Sequence, residues 1–329
     1  MAHITLLAYP HCSMSSIIGP IDAFAMANLW YQRSQDPPIT LAVPLFSWDI
    51  VSLDGQSVKG SGRVLVQPHK AIHEVKTTDF ILIPGFLPPL DFRGKIPGSL
   101  IKWLQNWHRE NAMIGASCTG TFFLAETGLL NGKVATTNWA FARSFQRCYP
   151  QVQLKPERIL TEDHGLVCSG ATTSFLDLSL FLIKKFGSAE LATHCAKALL
   201  VEPNRRNQSP YVVFDYQKSH SDEKVLAAQD RMEKHFDQGI PLDALASDLG
   251  ISPRHFKRRF KNATGDSPLT YLQRVRIEAA KRKLETTLEN ITEITWQVGY
   301  EDSNSFRRLF RKYTGLSPRE YRERFARAS

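Results

Sequence analysis

The rhythm of hydrophobic and polar positions changes once along the chain, and the change divides it. Up to about residue 200, short apolar runs rich in β-branched residues alternate with stretches of helical spacing. Residues 3–9, 39–46, 79–83 and 112–116 read as strands, and 17–29, 99–110 and 119–127 carry helix-like periodicity between them. The run Phe80-Ile81-Leu82-Ile83 is apolar at every position, as a strand covered on both faces should be, and it ends in the turn pair Pro84-Gly85. Strands alternating with helices predict an α/β domain with helices on both faces of one sheet. Ligands of such sheets gather at the carboxyl edge, where Gly85 falls.

Past residue 222 the pattern is helical throughout, and it repeats. Residues 256–271 align without gaps on 306–321, fifty positions on, and 246–250 match 295–299 at an offset of 49. Each copy reads as a short helix, a turn containing Gly250 or Gly299, and a second helix capped by Ser252 or by Asp302 or Ser303. Phe256 and Phe260 in one copy, and Phe306, Leu309, Phe310 and Tyr313 in the other, form inward stripes. Arg254, Lys257, Arg258 and Lys261 are then turned outward, as are Asn304, Arg307, Arg308 and Arg311. Gly265 is placed to stop the first of these helices in the left-handed conformation. The expected organisation is an α/β domain over 1–203, a polar, proline-containing linker over 204–222, and an all-α domain over 223–329. The latter holds two helix-turn-helix modules, about 240–262 and 290–313, joined by a helix at about 268–284.

Charge then selects a partner. The 329 residues carry 41 Lys and Arg against 32 Asp and Glu, a net charge of +9, which favours a polyanion without distinguishing nucleic acid from an anionic membrane. Its distribution does distinguish them. No acidic residue occurs within 253–261 or 303–313, the two outward-facing helices. A basic, Asn-bearing second helix of a helix-turn-helix has the shape that enters a major groove, where Arg pairs with guanine and Asn with adenine. The joining helix, roughly 17 residues and so about 25 Å long, suits two modules seated one DNA turn, ~34 Å, apart. No stretch approaches the ~18–20 apolar residues of a membrane span. The five cysteines include no close pair and the ten histidines no HxxxH or HExxH spacing. The sequence therefore predicts a cytoplasmic chain with no disulfide framework, metal or cofactor.

Gly115-Ala116-Ser117-Cys118-Thr119-Gly120 lies between a strand and a helix. Small residues around a Cys at such a turn make a nucleophile elbow, with the thiol at a helix N-terminus and backbone N–H groups aimed into the same space. Three readings of Cys118 follow from the residues: a buried apolar side chain, a nucleophile, or part of a ligand pocket.

Residues from about 223 to 325 resemble the DNA-binding domain of AraC/XylS-type transcription regulators, most closely in the string from Ile294 through Thr295-Trp296-Gln297-Val298-Gly299-Tyr300-Glu301-Asp302-Ser303-Asn304 to Arg311. Residues 3–200 resemble the ThiJ/PfpI, class I glutamine amidotransferase-like fold, a flavodoxin-like sheet. The resemblance rests on Gly19-Pro20-Ile21-Asp22 opening the first helix, Ile83-Pro84-Gly85-Phe86, the Cys118 elbow, the segment ending Thr136-Thr137-Asn138-Trp139, and Cys168-Ser169-Gly170-Ala171. The order of the domains resembles the GlxA-type branch of the regulators, in which this fold serves as the sensor. That resemblance implies a homodimer formed through the first domain, an activator with RNA polymerase as a further partner, and a small, nitrogen-containing effector. Asp22, Gly85, Cys118, Thr119, Asn138, Ser169 and Gly170 are its expected contacts. The family's enzymes use a His where Asn138 stands, and an amide cannot take up a proton at neutral pH, so no catalytic residue is assigned. Asp22 facing the thiol, as the acidic residue does in isocyanide hydratase-like relatives, keeps the alternative of a Cys118-dependent hydratase or amidase with an accessory DNA-binding domain.

Overall fold

A computed structural model describes residues 1–33, 43–202 and 205–327. They form two compact units, Met1–Gln208 and Ser209–Ser329. The first is built on a seven-stranded sheet of β1 (Ala2–Leu7), β2 (Phe46–Ser52), β3 (Lys70–Ala71), β4 (Phe80–Ile83), β5 (Met113–Ser117), β6 (Leu160–Asp163) and β7 (Leu166–Ser169). Their spatial order is β6-β7-β5-β4-β1-β2-β3. All pairs are parallel except the β6–β7 hairpin at one edge. The fully buried Ile4, Leu6 and Leu7 of β1 and all four residues of β4 show why these runs lack polar alternation, since helices cover both faces. The chain leaves β1 towards β2 on one side and later returns to β4 on the other, so the crevice between the carboxyl ends of β1 and β4 is the topological switch point.

The strand expected at 39–46 is displaced: it begins only at Phe46 and runs to Ser52, while 39–42 lie outside the described residues. Pro44, which has no N–H for a ladder, argues for the later start. Asp49 hid the strand because a carboxylate reads as a terminator. Lys70 at 2.6 Å, His3 at 3.1 Å and His69 at 3.2 Å compensate it across neighbouring strands. The helices are α1 (Ser15–Arg33), α2 (Gly98–Arg109), α3 (Gly120–Glu126), α4 (Ala142–Cys148), α5 (Phe175–Phe186) and α6 (Ala189–Ala198). Gly19 and Pro20, expected to open α1, lie inside it. Gly19 serves packing instead, because a Cβ there would stand 2.2 Å from the Phe175 ring of α5.

The second unit comprises α7 (Glu223–Lys234), α8 (Leu242–Asp248), α9 (Pro253–Thr264), α10 (Pro268–Thr286), α11 (Ile291–Gln297), α12 (Ser303–Thr314) and α13 (Pro318–Phe325). It has two small cores that share α10. Tyr271, Leu272 and Val275 pack with Phe256 and Phe260, whereas Ile277, Ala280 and Leu284 pack with Phe306, Phe310 and Tyr321. The repeat is also legible in polar detail. Thr264 donates to the Phe260 carbonyl and Thr314 to that of Phe310, each at 2.8 Å. The buried Tyr271 and Tyr321 hydroxyls each meet a glutamate, Glu233 and Glu285, at 2.7 Å. Desolvation, then the hydrogen-bonded glutamate, pushes both phenols well above the usual tyrosine range, so they stay neutral donors.

The stretch expected as a linker over 204–222 is divided between the units. Arg205 pairs with Asp177 and Gln208 is buried in the first, while Phe214 enters a core of the second.

Candidate DNA interface and the Cys118 site

Local sequence sets the two outward helices. Ser252 caps α9 by accepting from the His255 N–H, and Asp302 caps α12 by accepting from the N–H groups of Asn304 and Ser305. Gly265 (φ 77°) and Gly315 (φ 74°) end them in the left-handed conformation. Phe256 and Phe260, and fifty residues on Phe306 and Phe310, are fully buried, which fixes the rotation of each helix about its axis. Arg254, Lys257, Arg258 and Lys261, and likewise Asn304, Arg307, Arg308 and Arg311, are consequently all exposed. Lys257 makes a loose pair with Asp243 (3.4 Å) and Arg311 with Glu320 (3.3 Å), surface contacts that a phosphate can replace at little cost. Arg259 faces the other way and pairs with Asp222, tying α9 to the cap of α7. One basic residue escaped the sequence reading. Arg319, at the start of α13, shares an open cleft with Arg307, Arg308, Arg311 and Ser317.

Hydrogen bonds from Ser305 and from the Asn304 and Ser305 N–H groups hold the Asp302 carboxyl below its usual range. Burial would raise that of Asp222, but Arg259 and the Val225 N–H outweigh it and the carboxyl is held down as well. Folded values below the unfolded ~3.9 mean stabilisation that is present above about pH 4 and lost as pH falls through the folded values. The thermal midpoint of the full chain should therefore fall on acidification from pH 5 to pH 3. An Asp302→Asn variant, capped by a side chain that does not titrate there, should show a shallower fall.

In the first unit Cys118 follows β5 and has φ 56°, a left-handed conformation that a non-glycine residue rarely adopts. Its N–H donates to the Ser169 carbonyl (2.9 Å), and its carbonyl accepts from the Thr137 (3.0 Å) and Thr121 (3.1 Å) hydroxyls. The elbow is thus held from both neighbouring segments. Gly120 allows the next turn to pass under β4, because a Cβ there would stand 2.3 Å from the Pro84 carbonyl oxygen. Gly120→Ala should destabilise the first unit by roughly 1–3 kcal/mol, measured by chemical denaturation. Cys118 as a whole is buried, 8% exposed. Asn138 Nδ2 lies 3.4 Å from its sulfur, and a side chain at Gly85 would come within 3.2 Å of Cys118 Cβ and 3.4 Å of Ser16 Oγ.

The structure therefore joins Gly85, Cys118 and Asn138, but it divides the remaining expected contacts. Asp22 is on the exposed face of α1, six residues or about 9 Å of helix rise beyond Ser16, the α1 residue that does approach the site. Asp22 was chosen for its charge, and helical phase turns it to solvent. Thr119 is spent on Phe86, donating to its carbonyl and accepting from its N–H, both at 2.7 Å. Ser169 contributes its carbonyl, while its hydroxyl and that of the adjacent Ser117 are buried without a partner among the described residues. Gly170 is covered by the Gln208 side chain. Ser16, which accepts from the Gly85 N–H at 3.0 Å, gave no sequence signal beyond its small size. Among the described residues no group of His, Cys, Asp and Glu is arranged to hold a metal, and no helix is long and apolar enough to cross a membrane.

A strained elbow in an α/β unit and a duplicated, basic helix-turn-helix unit define a two-domain DNA-binding regulator. Comparison with known proteins agrees with each half. Residues 41–185 match the model of the DJ-1/PfpI family, and 245–324 match that of a helix-turn-helix domain. The chain is 25% identical over 319 residues to the HTH-type transcriptional regulator CdhR of Pseudomonas aeruginosa, covering 96% of this chain and 90% of that one. It is 25% identical over 321 residues to GbdR of the same species (97% and 84%), and 25% over 222 residues to GlxA of Rhizobium meliloti (64% and 67%). Among solved structures, an AraC family transcriptional regulator from Pseudomonas putida shares the fold over 60% of this chain and all of its own, with TM-score 0.51 and 20% identity. Drosophila melanogaster DJ-1beta does so over 61% and 100%, with TM-score 0.50 and 19% identity. The chain thus carries a DJ-1/PfpI-family domain followed by a helix-turn-helix domain, and over nearly its whole length it is similar to HTH-type transcriptional regulators.

Proposed function

We propose that this regulator is an effector-controlled activator, in which a small nitrogen-containing ligand seats beside Cys118 and α9 and α12 read adjacent major grooves of one operator. The observation that carries the DNA reading is the match between copies. Basic or amide side chains project from α9 and α12 at the same repeat positions, 254/304, 257/307, 258/308 and 261/311, and all are exposed. Activation draws support from the last third of the chain, where 92 residues are 37% identical to the HTH-type transcriptional activator RhaS of Escherichia fergusonii; an activator would take RNA polymerase as a further partner. The organisation proposed is the first unit, to Gln208, as sensor and dimerisation domain in the cytoplasm, and the second, from Ser209, on DNA.

The Cys118 site favours binding over turnover. The polar side chain on its sulfur is the Asn138 amide, a donor that cannot serve as the base a nucleophilic thiol needs. The Asn138 amide on the sulfur, with Gly85 leaving room beside Cys118, is suited to orienting a small polar molecule. A thermal-shift screen against amino acids and quaternary amines tests this. A true effector at ~100 times its Kd adds about 2.7 kcal/mol of stability, and Asn138→Ala should reduce the shift. No response to any compound would leave the domain with dimerisation alone, and turnover of amides or isocyanides that disappears in Cys118→Ser would favour the enzyme.

A further inference from the structure

The end of the first unit is fastened by the Arg205–Asp177 pair, by backbone bonds from the Ile159 N–H to the Arg206 carbonyl (3.1 Å) and from the Gln208 N–H to the Glu157 carbonyl (2.8 Å), and by the side chain of Gln208. Gln208 lies in a stretch that reads as solvated linker, yet it is only 3% exposed. Its Nε2 faces four acceptors: the carbonyls of Pro156 (2.8 Å), Thr137 (2.9 Å) and Arg158 (3.1 Å), and the Thr136 hydroxyl (3.3 Å). Its Oε1 accepts from the Ala171 N–H at 3.2 Å, and Gly170 makes room for it, since a Cβ there would stand 2.7 Å from the amide. A nest of oxygens is selective for an amide nitrogen and hostile to a carboxylate.

The same residues form the Cys118 site. Thr137, whose carbonyl receives Gln208, gives its hydroxyl to the Cys118 carbonyl, and the next residue, Asn138, lies on the sulfur. On the other flank, Ser169 receives the Cys118 N–H immediately before the Gly170-Ala171 pair that holds Gln208. One three-residue segment, 136–138, therefore carries the thiol contact at one end and the clamp at the other.

Within the second unit the chain is fastened again just past its start. Lys281 of α10 donates to the Val212 carbonyl (2.6 Å) and pairs with Glu278 (2.8 Å), which accepts from the Phe214 N–H at 3.4 Å. Both charged side chains are buried, and α10 is the helix on which both helix-turn-helix cores are built. Along the chain, residues 209–211 separate Gln208 from Val212.

We infer that Gln208 is a positioning residue that couples occupancy of the Cys118 site to α10. This rests on the ligand-site reading above. A ligand that displaces 136–138 binds the clamped and released states with different affinity, and that difference is what shifts DNA binding.

The test uses the full chain with the half-buried Cys148 replaced by serine. A bulky occupant is placed on residue 118, by carbamidomethylation with iodoacetamide verified by mass or, where the thiol proves unreactive, by Cys118→Met. Affinity for an operator selected from genomic fragments is then read by fluorescence anisotropy. The occupant should change that affinity about fivefold or more when Gln208 is present, and less than about twofold in Gln208→Ala. A residue that only stabilised the fold would shift the baseline affinity without altering the response to the occupant. An equal response with and without Gln208 overturns the coupling while leaving the ligand site standing. No response in either, with the occupant verified, removes the ligand site and the coupling together. Should Gln208→Ala fail to fold by circular dichroism, Glu278→Gln/Lys281→Met, which leaves the first unit untouched, must show the same loss of response.

Discussion

Replacing Arg307 and Arg308 together with alanine is expected to weaken binding to a selected operator by on the order of 10²-fold or more. The figure follows from ~1–3 kcal/mol for each bidentate base contact, at 1.4 kcal/mol per factor of ten. Both side chains are exposed on α12, a helix whose rotation is fixed by the buried Phe306 and Phe310. The substitutions therefore alter the outward face and leave the core alone. Lys102 and Lys184, exposed in the first unit, provide a control of equal charge, and their double alanine variant should change affinity little. The single variants separate two roles. A residue that reads a base relaxes preference at one position, whereas one that holds phosphate weakens all sequences alike. Unchanged affinity in the double variant would mean that α12 does not enter the groove.

Salt should have a still larger effect. If α9, α12 and the Arg319 cleft together neutralise ~6–10 phosphates, affinity falls by ~10³–10⁵ between 50 and 200 mM salt. Arg319 gives this prediction a residue-level form. It stands at the first turn of α13, beside the capping Ser317, and lines the same cleft as Arg307, Arg308 and Arg311. Arg319→Ala should lower the slope of log affinity against log salt by about 0.9 and leave sequence preference as it was. A change of preference instead would make Arg319 a base reader.

Legibility in the sequence followed the range of the interactions. Caps, stops and the repeat are local, so Ser252, Gly265, Ser267, Gly315 and Ser317 fall where their residue types predict. The eight outward side chains follow, because two buried aromatics four apart set the face of each helix. The elbow was legible for the same reason, as small residues around Cys118 announce a tight strand-to-helix turn. The contents of the site were not. Asp22 was singled out by the resemblance to isocyanide hydratase-like relatives and for its charge, but the α1 residue that reaches the site is the uncharged Ser16, and that depends on helical phase and on the approach of Gly85. Gln208 was hidden more deeply. Its partners lie 37 to 72 residues away, and nothing in its polar, proline-flanked neighbourhood hints at burial. Long-range pairing also explains the misplaced second strand, whose Asp49 is tolerable only because β1 and the segment entering β3 bring His3, His69 and Lys70 to it.

Hydroxyl-radical footprinting of the full chain on its selected operator tests the central claim most directly. Two helices of the same design, α9 and α12, on one rigid α10 should protect two backbone segments about 10–10.5 base pairs apart, both on one face of the duplex. Alanine at Arg307 and Arg308 should erase one segment, and alanine at Lys257 and Arg258 the other. A single protected segment, or two on opposite faces, would contradict the account.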